Sequence, residues 1–135
     1  MGKVITAAIA LMLAAGPIAA QAAEADLVKG EKVYKKCKIC HEVAKEKNKL
    51  GPHLVNLFGR KAGSVESYKK YSAAMKAKGE EGLVWDAETL NEYLTKPKAF
   101  VPKGKMMFPG LKSEADRTNL IGYLEKTTKP AQPAQ

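Results

Sequence analysis

The chain contains two cysteines, and both lie in one short motif, Cys37-Lys38-Ile39-Cys40-His41. Two thiols at this separation can each add to one of the two vinyl groups of a haem, and the imidazole that follows can then bind the iron. The motif therefore predicts one covalently attached haem c, held by Cys37 and Cys40, with His41 as an iron ligand.

Other uses of a cysteine pair fit the sequence less well. A disulfide between residues so close together would stabilise little, because its effect grows with the length of the loop that it closes. A zinc site needs a second pair of ligands, and the only other histidine, His53, would give an atypical spacing. A redox pair of the thioredoxin kind follows a strand and precedes a helix, whereas here a predicted helix precedes the motif and a loop follows it. Haem attachment is therefore the favoured interpretation.

The sixth position of the iron has four candidate ligands beyond the N-terminal segment, which are Met75, Met106, Met107 and His53. Met75 falls in a predicted helix, where methionine is more often a core residue. Met106 and Met107 fall in an irregular segment rich in Gly and Pro, where the backbone can approach a flat cofactor closely, which favours one of these two. We expect His53 to be a surface residue of a loop, although ligation by two histidines is compatible with the composition.

The elements that must position these residues are predicted to be helices and loops, because the chain has no alternating strand pattern and no internal repeat. The predicted helices cover residues 26–36, starting at Asp26; 71–78, ending before Gly79; 86–95, capped by Asp86 and ended by Pro97; and a last one capped by Ser113. Residues 45–65 and 96–110 are rich in Gly, Pro or polar residues and are predicted to be irregular. The fold class that follows is all-α, a single domain of helices and loops wrapped around one haem.

The first residues have the pattern of a secretory signal peptide. A short basic start is followed by the apolar run 4–20, and Ala20-Gln21-Ala22 matches a cleavage site. A membrane anchor is the competing interpretation, but the run is slightly short and contains Gly16 and Pro17 near its end. We therefore expect a signal peptide at residues 1–22, cleaved near Ala22, a single domain at residues 23–128 and a disordered tail at residues 129–135. The expected location is the bacterial periplasm.

The chain is basic, with 23 Lys and Arg against 14 Asp and Glu. Such a surface favours acidic partners, although lysines also keep small proteins in solution. Basic and aromatic residues do not interleave as they do in a groove for nucleic acid, so nucleic acid is a poor candidate. We expect a monomer without stable insertion in a membrane.

Five segments of the sequence, in order, resemble the class I cytochromes c of mitochondria and bacterial periplasms. They are KGEKVYKKCKICH, GPHLVNLFGRKAG, VWDAETLNEYLTKPKAFVP, KMMFPG and NLIGYL. The resemblance covers residues 26–128 and implies the class I cytochrome c fold.

The resemblance also implies roles for residues near the iron. Met106 matches the axial methionine, and Met107 matches a packing residue. The carbonyl of Pro52 matches the acceptor for the ring N–H of His41, a hydrogen bond that orients the imidazole and raises its basicity. Tyr93 matches the tyrosine beside the methionine sulfur.

Further matches concern the rest of the haem and the helix contacts. Arg60, Tyr71 and Trp85 match the residues that hydrogen-bond the haem propionates, and Phe108 matches the aromatic residue that covers the haem near its exposed edge. A separate set matches the contact between the first and last helices, with Gly30 and Tyr34 on one side and Leu120, Ile121 and Tyr123 on the other. Two departures, Gly104 in place of a threonine and Met75 in place of an asparagine, remove hydrogen bonds around the haem.

The function implied is that of a soluble, single-haem carrier of electrons between redox proteins, and not of an enzyme. Iron held by an imidazole and a thioether has no free coordination position, which suits cycling between Fe(II) and Fe(III). Partners would be acidic-faced proteins such as a membrane oxidoreductase, an oxidase, a reaction centre or a periplasmic dehydrogenase. The lysines expected to attract them are Lys35, Lys36, Lys38, Lys103 and Lys105. The alternatives are an enzyme or gas sensor with a weakly bound Met106, and a subunit fixed in a larger complex.

Overall fold

A computed structural model describes residues 24–129 and contains five helices. They are α1 (Leu27–Tyr34), α2 (Ala73–Glu80), α3 (Ala87–Thr95), α4 (Pro97–Phe100) and α5 (Glu114–Thr127). Within this part of the chain, extended pairing is limited to one isolated antiparallel bridge between Lys61 and Val84. The prediction of an all-α fold is therefore confirmed. The expected signal peptide and all of the expected tail beyond Lys129 lie outside the described residues.

Side-chain caps define where three helices begin, as predicted. The carboxylate of Asp26 accepts a hydrogen bond from the backbone N–H of Lys29, and Ser113 caps α5 in the same way. Asp86 and Thr89 form a reciprocal capping box at the start of α3. These local signals fix the helices on either side of the two predicted ligand segments.

The predicted bounds of α2 are wrong at both ends, and the segment after α3 is not wholly irregular. Helix α2 begins at Ala73 behind a Ser72 cap, and Gly79 lies inside it instead of ending it. Gly79 is there because the helix packs so closely on the carbonyl of Ala62 that a Cβ atom would collide with it. Pro97 begins the short helix α4 within the segment predicted to be irregular, since proline suits the first turn of a helix.

The two ends of the described chain are joined by the contact between α1 and α5. Gly30 lies against the backbone of Asn119 and the Cβ atom of Tyr123, with no room for a side chain of its own. The rings of Tyr34 and Tyr123 have centroids 5.5 Å apart, and the side chain of Asn119 accepts a hydrogen bond from the backbone of Asp26. The expected pairing of the first and last helices is confirmed, and it places the end of α1 directly before the cysteine motif.

No helix within residues 24–129 is both long enough and apolar enough to cross a bilayer. The core of this region is formed by apolar side chains from α1, α3, α5 and the loops between them, with Leu120 fully buried at 0% exposure.

Candidate haem-binding site

The cysteine motif forms a series of tight turns that continues from the end of α1. The backbone N–H of Cys37 donates to the carbonyl of Tyr34, and the N–H groups of Cys40 and His41 both donate to the carbonyl of Cys37. Both thiols are free and half-buried. Burial raises the pKa of Cys37 to about 11, so its sulfur is a neutral thiol at neutral pH. The motif thus presents two reduced thiols and an imidazole from one compact turn.

The ring of His41 is held from two sides. Its Nδ1 atom lies 2.7 Å from the carbonyl oxygen of Pro52, which can only accept, so Nδ1 carries the proton and Nε2 is left as the nitrogen with a free lone pair. Gly51 lies against the ring face, where a Cβ atom would come within 2.5 Å of Cε1. Burial lowers the pKa of His41, which keeps the imidazole neutral. A neutral ring with Nε2 available is the form that binds iron.

The backbone carbonyl of His41 has two further partners that sequence reasoning missed. The hydroxyl of Tyr34 donates to it across 2.9 Å, and Nζ of Lys49 approaches it at 3.4 Å. Tyr34 was assigned only to helix packing, and Lys49 only to an extended loop. The one sequence signal for the first contact is a tyrosine three residues before the first cysteine, at the end of a predicted helix.

Met106 is half-buried, and its sulfur accepts a hydrogen bond from the hydroxyl of Tyr93 across 3.5 Å. The Tyr93 ring lies between Trp85 and Phe100, at centroid distances of 5.1 Å and 5.9 Å. Burial raises the pKa of Tyr93 to about 12, so the phenol keeps its proton and remains a donor. Of the candidate sulfurs in the described residues, that of Met106 is the one with a buried aromatic hydroxyl beside it.

The other three candidate ligands have different surroundings. Met107 is 82% exposed, so its assignment as a packing residue is wrong. Met106 and Phe108, on either side of Met107 in the sequence, are the residues of this segment that pack against the core. Met75 is a half-buried residue of α2 that packs on the core, as expected.

His53 was predicted to be a surface residue, and this prediction is wrong, because His53 is only 8% exposed. Its backbone explains the burial, because its N–H donates to the side chain of Asn48 and its carbonyl accepts from the guanidinium of Arg60. The Nδ1 atom of His53 is buried with no hydrogen-bond partner within residues 24–129. Burial lowers the pKa of His53, as does the nearby charge of Arg60.

The three residues expected at the propionates are connected through Arg60. Its guanidinium donates to the carbonyls of Val55 and His53 at 2.9 and 3.1 Å. Its backbone carbonyl accepts from the N–H of Trp85, which is buried at 6% exposure. Tyr71 is half-buried and close enough for the Arg60 charge to oppose the rise in its pKa that burial causes. The group therefore offers a half-buried cation beside two aromatic residues.

The residues present fit a haem. They supply two free thiols, an imidazole with Nε2 available and a half-buried thioether, each held by neighbours described above. Several elements also supply large apolar side chains that pack on the core but are only partly buried; these are Leu54, Phe58, Leu83, Phe100 and Phe108. Such a surface is what a flat, apolar macrocycle would cover. All five lysines expected to surround the site are exposed.

Comparison with known proteins gives a consistent result. The family model described as Cytochrome c matches residues 27–128. The chain is 50% identical to a cytochrome c2 of Afifella marina over 97 residues, which cover 71% of this chain and 77% of that protein. It is 49% identical to a cytochrome c of Gibberella zeae over 106 residues, or 77% of this chain and 96% of that protein. A cytochrome c2 of Agrobacterium tumefaciens is 42% identical over 112 residues, which cover 81% of this chain and all of that protein.

Proposed function

Since the chain belongs to the cytochrome c family, we propose that it carries single electrons between redox proteins with a haem iron bound by His41 and Met106. The covalent attachment is a property of the family, and Cys37 and Cys40 are the two cysteines that provide it here. The bound haem supplies reversible one-electron chemistry between Fe(II) and Fe(III). The residues of the chain supply the ligands, their orientation and the exclusion of water.

The observation that carries this proposal is the contact between Tyr93 and Met106. It distinguishes Met106 from Met107, which is exposed, and from Met75, which lies in a helix. A thioether ligand favours the reduced iron and raises the reduction potential, as does an apolar surrounding. With His41 and Met106 both bound, the iron has no position open to a substrate, which favours electron transfer over catalysis or gas binding.

The test is the absorption spectrum of the oxidised, fully matured protein. We expect a weak far-red band that reports sulfur bonded to ferric haem, and we expect Met106→Ala to abolish it. Met75→Leu and Met107→Leu are the matched controls and should keep the band. A colourless protein, or a band that survives in Met106→Ala, would contradict the proposal.

The remaining site residues complete the proposed pocket. Arg60, Tyr71 and Trp85 would hold the haem propionates, because buried carboxylates are costly without donors. Phe108, half-buried next to Met106 and Met107, would cover the haem near its edge. Replacing Arg60 with Leu should therefore change the reduction potential and its pH dependence without removing the far-red band.

The partners of the carrier would be proteins with acidic surfaces, with which it would form short-lived complexes. Lys35, Lys36 and Lys38 flank the cysteine motif, and Lys103 and Lys105 precede Met106. Their exposed charges would guide encounter, while a small contact would allow fast release.

We include export to the bacterial periplasm in the proposal, supported by the signal-peptide pattern of residues 1–22 and by bacterial relatives named cytochrome c2. The mass of the purified protein tests it, since cleavage near Ala22 removes the first segment.

A further inference from the structure

The backbone carbonyl of His41 accepts hydrogen bonds from two separate parts of the chain, Tyr34 in α1 and Lys49 in the following loop. We infer that Tyr34 and Lys49 are positioning residues, which fix the backbone of His41 and through it the hydrogen bond between the His41 ring and Pro52. The inference rests on the proposed role of His41 as an iron ligand.

Tyr34 brings a rigid donor to this carbonyl. Its side chain is 7% exposed, and its ring packs on Tyr123 of α5. Tyr34 is the last residue of α1, whose close crossing with α5 at Gly30 leaves the helix little freedom to shift. The pKa of Tyr34 is raised to about 12, chiefly by burial, so the hydroxyl keeps its proton throughout the neutral range. The contact between the two helices is thereby connected to the proximal histidine.

Lys49 is half-buried, and its ammonium group contacts acceptors in the cysteine motif and in Glu42, the next residue. Nζ lies 2.9 Å from the carbonyl oxygen of Lys38, 3.4 Å from that of His41 and 3.4 Å from a carboxylate oxygen of Glu42. The first two contacts are hydrogen bonds and the third is an ion pair, so the ammonium of Lys49 has three acceptors from the motif and the residue that follows it. Lys49 therefore stabilises the backbone of the cysteine motif, whereas the exposed lysines are proposed to meet partners.

The two ends of His41 are mechanically coupled. Its carbonyl is held by Tyr34 and Lys49, its ring N–H by Pro52 at 2.7 Å, and its ring face by Gly51. Displacement of the His41 backbone would move Cα and the Cα–Cβ bond with it, and the ring could not follow without lengthening its hydrogen bond to Pro52. Because this bond sets the orientation and basicity of the imidazole, loosening the carbonyl should loosen the ligand.

Hydrogen exchange of the His41 ring N–H, measured by NMR on the reduced holoprotein, tests this coupling. Loss of one neutral hydrogen bond should speed this exchange about three- to tenfold in Tyr34→Phe, and Lys49→Met should act in the same direction. Tyr123→Phe removes a hydroxyl from the same aromatic pair, and Lys47→Met removes a nearby exposed charge; both should exchange at the wild-type rate. The backbone amide of Leu120 reports general destabilisation, so the ring N–H must accelerate relative to it.

Equal acceleration of the His41 ring N–H and the Leu120 amide would reduce Tyr34 to a packing residue and overturn the inference. So would equal rates in Tyr34→Phe and Tyr123→Phe. If Tyr34→Phe does not mature, Lys49→Met and its donor-retaining counterpart Lys49→Arg decide the question: faster exchange in the first alone supports the inference, and equal rates overturn it. Failure of the proposed function is separate, because it would show in the wild-type spectrum before any variant is made.

Discussion

The hydroxyl of Tyr93 donates a hydrogen bond to the sulfur of Met106 across 3.5 Å. A donor at this distance draws electron density from the thioether, which weakens its donation to an electron-poor metal. Ferric iron needs that donation more than ferrous iron does. If Met106 binds the haem iron as proposed, Tyr93 should therefore favour the reduced state.

Replacing Tyr93 with Phe should lower the reduction potential. The ring would keep its contacts with Trp85 and Phe100, while the sulfur would lose its donor. One neutral hydrogen bond, worth about 0.5–1.5 kcal/mol, corresponds to roughly 20–65 mV for a one-electron couple. Redox titration measures the shift, and Tyr123→Phe serves as the control. An unchanged or higher potential would contradict this role for Tyr93.

Replacing Gly30 with Ala should destabilise the protein, against the intrinsic preference of alanine for helices. Helix propensity alone predicts a gain of about 1 kcal/mol in the free energy of unfolding. A Cβ atom at Gly30, however, would collide with the backbone of Asn119 and the side chain of Tyr123. Forcing a methyl group into such a contact costs about 1–3 kcal/mol.

Chemical denaturation of the holoprotein measures this difference. Lys32→Ala is the matched control, because Lys32 is exposed on the same helix. We expect the control to have nearly the wild-type free energy of unfolding and Gly30→Ala to have a lower one. If Gly30→Ala proved the more stable of the two, α1 and α5 could not cross as closely as described.

Stability should decrease in mild acid, in part because of His53. Burial lowers the pKa of His53 below its ordinary value of 6.5, with Arg60 acting in the same direction and Glu46 opposing. The unfolded chain then binds a proton that the folded protein excludes, so the free energy of unfolding decreases as pH falls below 6.5. The decrease stops once the pH is below the pKa of the folded state. His53→Asn cannot titrate and should flatten the profile just below pH 6.5; an equally steep profile would show that His53 is not responsible.

Local signals in the sequence were enough for most of the fold. Asp26, Asp86 and Ser113 begin helices because capping depends on the residue and its next few neighbours. Gly79 was misread because a glycine that ends a helix and one that lets a helix pack closely look alike in sequence. The difference depends on Ala62, which is distant along the chain and adjacent in space.

The candidate site was predictable where the motif specifies it and less so elsewhere. The spacing of Cys37, Cys40 and His41 encodes its own chemistry, but the choice between Met106 and Met107 needed the resemblance to a family. The burial of His53 could not be read from its loop, since it results from hydrogen bonds with Asn48 and Arg60. The role of Lys49 likewise depends on the fold, which brings its ammonium group to the carbonyls of the cysteine motif.

The exposed lysines near the two ligand segments should control electron transfer by charge. With ferricyanide, an anionic oxidant, the oxidation rate should fall as ionic strength rises, because screening shortens the Debye length from about 30 Å at 0.01 M to about 10 Å at 0.1 M. A cationic oxidant such as tris(phenanthroline)cobalt(III) should show the opposite trend. Lys38→Glu or Lys105→Glu should slow ferricyanide oxidation at low salt about two- to fivefold, since each inverts a charge on the surface proposed to meet partners. Lys126→Glu, exposed in the last turn of α5, changes the net charge by the same amount and should have a smaller effect. Equal effects at all three positions would mean that net charge alone steers encounter, and the lysines around the motif would then have no special role.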